Sequence, residues 1–160
     1  MRCADGVYRA GRPPVVAGLL RERCVQNEIG LALSPVMQLS ERRAGLVSSP
    51  HTGAIWQSTT QGAADLHGTL PGGRALELEI KHPRARVHYQ PGQVDWLTRC
   101  ARLGGVAITA RHLRDVLEAL EFEGYTVETA PSAVLPSGIV VVGLHSPRPC
   151  QYLDQLRSGA

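Results

Sequence analysis

The sequence predicts an α/β domain in which a mixed β-sheet lies between helices. Apolar residues recur at helical spacing in three stretches, around residues 19–33, 94–101 and 113–120, with extended segments between them. Leu76, Leu78 and Ile80 alternate with Glu77, Glu79 and Lys81, which is the period of a strand. Pro71-Gly72-Gly73 divides that strand from a second extended segment, a strong hairpin signal.

The elements follow in order. Residues 1–14 carry Gly, Pro and Arg without periodicity and read as a leader. From Val15 to Ser34, Leu19, Leu20, Cys24, Val25, Ile29 and Leu33 share one side of a predicted helix, with Glu28 beside the stripe and Pro35 ending it. Short strands are predicted at Val36–Leu39 and Ala54–Trp56. The hairpin pairs Ala64–Leu70 with Arg74–Lys81. Pro91 opens a helix carrying Val94, Leu97 and Ala101, which stops at Gly104-Gly105. Val106–Thr109 reads as a strand, and Leu113, Val116, Leu117 and Leu120 mark a helix ending near Gly124. One more strand is predicted at Ile139–Leu144, among Pro-rich pieces.

A chain of 160 residues with 43% apolar content fits one domain with a sizeable core. Two Trp, four Tyr and one Phe are too few rings for a single-strand stacking platform. A net charge of +3 leans towards a polyanionic partner. Cys3, Cys24, Cys100 and Cys150 form no Cys-x-x-Cys pair, and no two histidines stand at i, i+4 on a helix. Neither a structural zinc nor a disulfide framework is expected. Without a long apolar run, the chain is expected to be soluble, to bind no membrane and to act in the cytoplasm.

The hairpin carries the chemistry. Glu77, Glu79 and Lys81 share one strand face, and a turn confined to Pro71–Gly73 sets Leu70 opposite Arg74. Counting back places His67 opposite Glu77 and Asp65 opposite Glu79. Facing carboxylates repel, and a bound cation removes that penalty. Magnesium takes one or two carboxylates, keeps several waters and completes its shell with phosphate. Lys81, roughly 7 Å along the strand from Glu79, stands where an ammonium would steady an attacking water or a charged phosphate. The alternative is the ordinary solvated face of an antiparallel sheet.

The stretch "QGAADLHGTLPGGRALELEIKHP" resembles the core of the VRR-NUC nucleases, a branch of the restriction-endonuclease-like PD-(D/E)XK superfamily. That family has Gly-x-x-Asp before a short turn and then a Glu-x-Lys strand. The likeness continues in "YQPGQVDWLTRCARLGGVAITARHLRDVLEAL", upstream in "QNEIGLALS" and "ERRAG", and covers about residues 20–124. It implies a restriction-endonuclease-like fold, with residues 15–124 as the nuclease domain and 125–160 as a peripheral extension. It implies Asp65 and Glu79 as metal ligands, Lys81 as the catalytic lysine, and Gln93 as the helix-opening glutamine supporting the site. It also implies the Ile80 carbonyl as a further ligand, and Glu28, matching the first-helix acid, as a ligand through water. Ala64 stands where the family has Pro, and Gly92 where an acid is common. The implied cofactor is Mg²⁺, with Mn²⁺ as a substitute. The implied activity is hydrolysis of DNA phosphodiesters, and small stand-alone members, often phage-encoded, are dimers cutting branched DNA such as Holliday junctions. A DNA-binding module that keeps the fold without cutting is the rival.

Arg84, Arg86 and His88, beside Lys81, are candidate contacts to flanking phosphates, as are Arg42 and Arg43. Trp56 and Trp96 read as packing or subunit-contact residues rather than base stackers. No Ser-His-Asp set or phosphate-cradling Gly-x-x-x-x-Gly-Lys motif occurs.

Overall fold

The computed structural model describes residues 2–9, 21–42 and 62–147, with the backbone alone of 46–48 and 55–57. Its central sheet has five strands: β1 (Tyr8–Arg9), β2 (Leu39–Glu41), β5 (Leu66–Thr69), β6 (Ala75–Ile80) and β7 (Val106–Ala110). Their spatial order is β1-β7-β6-β5-β2. β2, β5 and β6 are antiparallel neighbours, whereas β7 runs parallel to both β6 and β1. A parallel neighbour requires a crossover; α2 (Gln93–Arg102) supplies it between β6 and β7. β3 (Leu46–Ser48) and β4 (Ile55–Gln57) pair with each other, and β8 (Thr126–Pro131) pairs with β9 (Ile139–His145). α1 (Glu22–Leu33) and α3 (Leu113–Phe122) complete the set.

β6 divides the protein. Leu76, Leu78 and Ile80 are buried with Val25, Ile29 and Leu33 of α1, Leu113, Val116 and Leu120 of α3, and Val141 of β9. Burial of each such side chain is worth about 1.5–3 kcal/mol, so this face holds the main core. On the opposite face, α2 lays Leu97 over Ala107, with Val7 and Ala64 completing a smaller cluster flanked by Tyr89, Trp96 and Cys100. The mixed sheet between helices is thus the observed architecture.

Several expected boundaries move. The first helix is described from Glu22 onward, and Leu19 and Leu20 lie outside the described residues. The strand expected at Val36–Leu39 begins only at Leu39, because the N–H groups of Val36 and Met37 both turn back to the Leu33 carbonyl and close the helix. The strand at 54–56 forms one residue later, paired to β3, which the pattern did not reveal. Part of the expected leader is structural: Val7 and Tyr8 are buried, and Tyr8–Arg9 adds an edge strand to β7. The C-terminal hairpin is not peripheral either, since Tyr125, Leu135, Val141 and Leu144 belong to the main core. Among the described residues, no helix is long and apolar enough to cross a membrane.

Candidate active site

A tight turn sets the geometry of the site. Gly72 and Gly73 both take positive φ, which glycine adopts without a Cβ penalty. The Leu70 N–H then donates to the Arg74 carbonyl at 2.8 Å. Leu70 therefore faces Arg74, and the ladder runs His67↔Glu77 and Leu66↔Leu78 as the turn length predicts. One residue further, Asp65 leaves the strand beside Glu79. Its Oδ2 accepts the Ile80 N–H at 2.7 Å. N–H and C=O of a strand residue point to the same side, so the Ile80 carbonyl also turns towards Asp65.

The face shared by Glu77, Glu79 and Lys81 is not a solvated one. Glu79 is 1% exposed, Glu77 6% and Lys81 7%. Burying charges without partners costs several kcal/mol each, so their partners matter. Lys81 Nζ lies 2.7 Å from Glu79 Oε1 and donates to Gln93 Oε1 at 3.0 Å. Gln93 Nε2 donates to Glu79 Oε1 at 2.6 Å, and Gln93 Oε1 also accepts the Gln90 N–H at 2.7 Å. Gln93, the first residue of α2, is thus fixed by its own helix entry and holds both charged groups. Glu79 Oε1 has two donors; Glu79 Oε2 is buried and has no hydrogen-bond partner among the described residues.

Burial first, and then the Asp65 carboxylate, push the Glu79 carboxyl up to about 7, against the pull of Lys81. Asp65 is raised in the same way by burial, opposed by the Ile80 N–H and Lys81, with Glu22 adding to the rise. Glu22 was not anticipated. It stands in the first turn of α1, its Oε1 accepts the His82 N–H at 2.9 Å, and its charge acts on both Asp65 and Glu79.

Glu28, expected as the first-helix acid of the site, is not brought there. It lies six residues beyond Glu22, about 9 Å along the helix axis, and its Oε1 accepts the Ser137 N–H at 2.6 Å.

The residues fit a hard divalent cation. Glu22, Asp65 and Glu79 against Lys81 leave an excess of negative charge, and Glu79 Oε2 is a buried acceptor without a donor. Among the described residues, no three His, Cys, Asp or Glu side chains stand together at metal-ligand spacing. Magnesium does not require three, because one or two carboxylates suffice when water and phosphate complete the shell.

The basic residues divide. Arg84, Arg86 and His88 are exposed on the segment after Lys81. That segment is shaped by His82, whose Nδ1 accepts the N–H groups of Arg84 and Ala85, and by Arg111, which donates to the Ala85 carbonyl at 3.0 Å. Arg42 is occupied instead. Its guanidinium lies 3.0 Å from Glu77 Oε1 and stacks over Trp96, whose indole N–H donates to Glu77 Oε2. Its own N–H donates to the Asp65 carbonyl at 2.9 Å. This ties Arg42 to the scaffold, correcting its expected role at phosphate, and makes Trp96 a packing residue. Arg43 and Trp56 lie outside the residues whose side chains are described.

Two glycines bring the Asp65 loop against α2. A Cβ on Gly62 would stand 2.5 Å from the Gly92 carbonyl carbon, and both residues take positive φ. Gly92, which as a sequence feature only weakened the helix start, here admits the backbone that carries Asp65.

No family model, curated protein or solved structure matches this chain.

Of the residues that reasoning from sequence missed, Glu22 gave no signal while the helix was expected from Val15; its place in the first turn of α1 comes from the structure. Tyr89 gave none either. Its ring lies 5.2 Å from Lys81 Nζ, and its hydroxyl is 3.1 Å from Thr109 Oγ1, contacts that only the crossover creates.

Proposed function

We propose that this chain is a metal-dependent DNA endonuclease of the restriction-endonuclease-like, VRR-NUC type. One observation carries the reading: Asp65 and Glu79 stand side by side while Lys81 and Gln93 are both locked on Glu79 Oε1, leaving Oε2 buried and open. The order of elements supports it, with an acid-bearing helix, an antiparallel hairpin ending in Glu-x-Lys, a helix opened by glutamine, and a parallel strand.

Asp65 and Glu79 would hold Mg²⁺ or Mn²⁺, with the Ile80 carbonyl on the same side. When bound, the ion supplies an activated water and stabilises charge on the phosphate. The chain's own residues do the rest. The Lys81 ammonium has three donors; two are given to Glu79 and Gln93, and the third remains for a phosphate oxygen or the attacking water. Gln93 keeps that ammonium aimed, because its amide is itself held by the Gln90 N–H. Arg84, Arg86 and His88 bind neighbouring phosphates by charge. Branched DNA, Holliday junctions included, is the proposed substrate class, and a two-fold homodimer would present two sites to a symmetric junction.

The test is cleavage of synthetic four-way junctions and linear duplex with Mg²⁺ or Mn²⁺, comparing the protein with Glu79→Ala and Asp65→Asn. Metal-dependent cutting abolished in both variants is expected. Binding without cutting would instead favour a non-catalytic DNA-binding module, and neither binding nor cutting would dismiss a nucleic-acid role.

A further inference from the structure

We infer that Tyr89 is a positioning residue for Lys81. This rests on the nuclease reading and adds to it residues outside the acid–lysine set.

The register across the sheet is the starting point. Arg9 of β1 is paired with Thr109 of β7, and Thr109 with Glu79 of β6. Asp65 adjoins that row just outside β5, its Oδ2 accepting the Ile80 N–H. Residues side by side in neighbouring strands share a face, so Arg9, Thr109 and Glu79 form one cross-strand line on the face that α2 covers.

Tyr89 lies over this line. Its hydroxyl is 3.1 Å from Oγ1 of the buried Thr109, its side chain interacts with the Arg9 guanidinium, and its ring faces Lys81 Nζ at 5.2 Å. Arg9 is in turn held through a two-pronged ion pair to Asp5. The succession Asp5, Arg9, Tyr89, Lys81 thus links an edge strand to the ammonium.

The ring meets a need the polar contacts leave open. Lys81 carries three donors on a flexible four-carbon stem, and Glu79 of β6 and Gln93 of α2 together take two of them. A wall on the remaining side keeps the third donor from swinging away from the substrate. An aromatic face does this while attracting the cation and offering no competing acceptor.

The test compares Tyr89→Leu, Tyr89→Phe and the unaltered chain. In junction cleavage, Tyr89→Leu is expected to lower kcat about 10-fold with KM unchanged. Tyr89→Phe, which keeps the ring face, is expected to recover kcat to within about 3-fold. Equal losses in the two variants, or a loss that follows Tm alone, would overturn the inference.

NMR of the full chain gives a second reading that needs no cleavage. The Lys81 Hε protons should be displaced upfield by the Tyr89 ring, the displacement persisting in Tyr89→Phe and vanishing in Tyr89→Leu. Unchanged Lys81 shifts in Tyr89→Leu would sink the placement. If the unaltered chain fails to cut while the NMR pattern holds, the nuclease reading fails and the positioning survives.

Discussion

Replacing Glu79 by Gln is expected to stabilise the protein while ending its activity. The Glu79 carboxyl is raised from 4.5 to about 7 in the fold. Below about pH 4.5 it is protonated in both folded and unfolded chains and contributes no difference. As pH rises towards 7, the unfolded chain ionises freely while the folded one resists, so stability is lost through that window. The rise corresponds to about 3 kcal/mol, fully felt at pH 8, at about 1.4 kcal/mol per pH unit. Gln keeps the shape, can accept from Lys81, and never takes the charge. Urea or thermal unfolding of both proteins from pH 4 to pH 8.5 is the assay. The variant should match the parent near pH 4 and exceed it by about 3 kcal/mol at pH 8, or about 6–12 °C in Tm for a chain of this size. Taking the difference cancels the other titrating groups. A variant less stable than the parent at pH 8, or two curves that run parallel, would refute the claim that burial and Asp65 burden this carboxylate.

Further expectations follow from the same contacts. Adding Mg²⁺ at pH 8 should raise the parent's Tm, since a ligand of the folded state alone stabilises it; the rise should shrink at pH 5 and be absent in Glu79→Gln, as scanning fluorimetry can read. Gly62→Ala puts a Cβ 2.5 Å from the Gly92 backbone at a positive φ; strain and overpacking together should cost about 2–4 kcal/mol by urea unfolding, with activity falling as the Asp65 loop is displaced. Arg42→Ala leaves Glu77, among the described residues, with Trp96 as its one side-chain donor and should cost about 1–3 kcal/mol of stability, whereas Arg84→Ala and Arg86→Ala should leave stability within about 0.5 kcal/mol. In DNA-binding titrations over a range of salt, each of the latter two should weaken affinity and flatten the salt dependence by about one counterion, and a salt slope unchanged in both would remove that loop from the DNA contact.

The parts of this protein legible from sequence are those set by local chemistry. The hairpin register was readable because a three-residue turn with two glycines permits little else, and Asp65 could be matched to Glu79 by counting. The α2 start was readable from Pro91 to within two residues, the helix beginning at Gln93. What escaped depended on distant contacts. Two-residue β1 has no periodicity to find and exists because β7 offers it an edge. Whether the Glu79 face was wet or covered was open, since alternation tells which side a residue takes but not what lies over it. Glu28 entered only through the family resemblance, and the contact of Glu22 with His82 depends on where α1 meets the end of β6. Arg42 looked like any exposed cation until α2 brought Trp96 beneath it.

β6 limits how this protein can be altered. One added residue between Arg74 and Glu77 would exchange its two sides, driving acids among the leucines and leucines among the acids. Folding and chemistry would fail together, so repair or redesign must proceed by swapping side chains on a fixed frame. Arg84, Arg86 and His88 are under no such restriction, because their side chains are exposed while His82, Tyr89 and Gln90 hold the segment to its neighbours. On the proposed function, new substrate preferences are most readily engineered at Arg84 and Arg86.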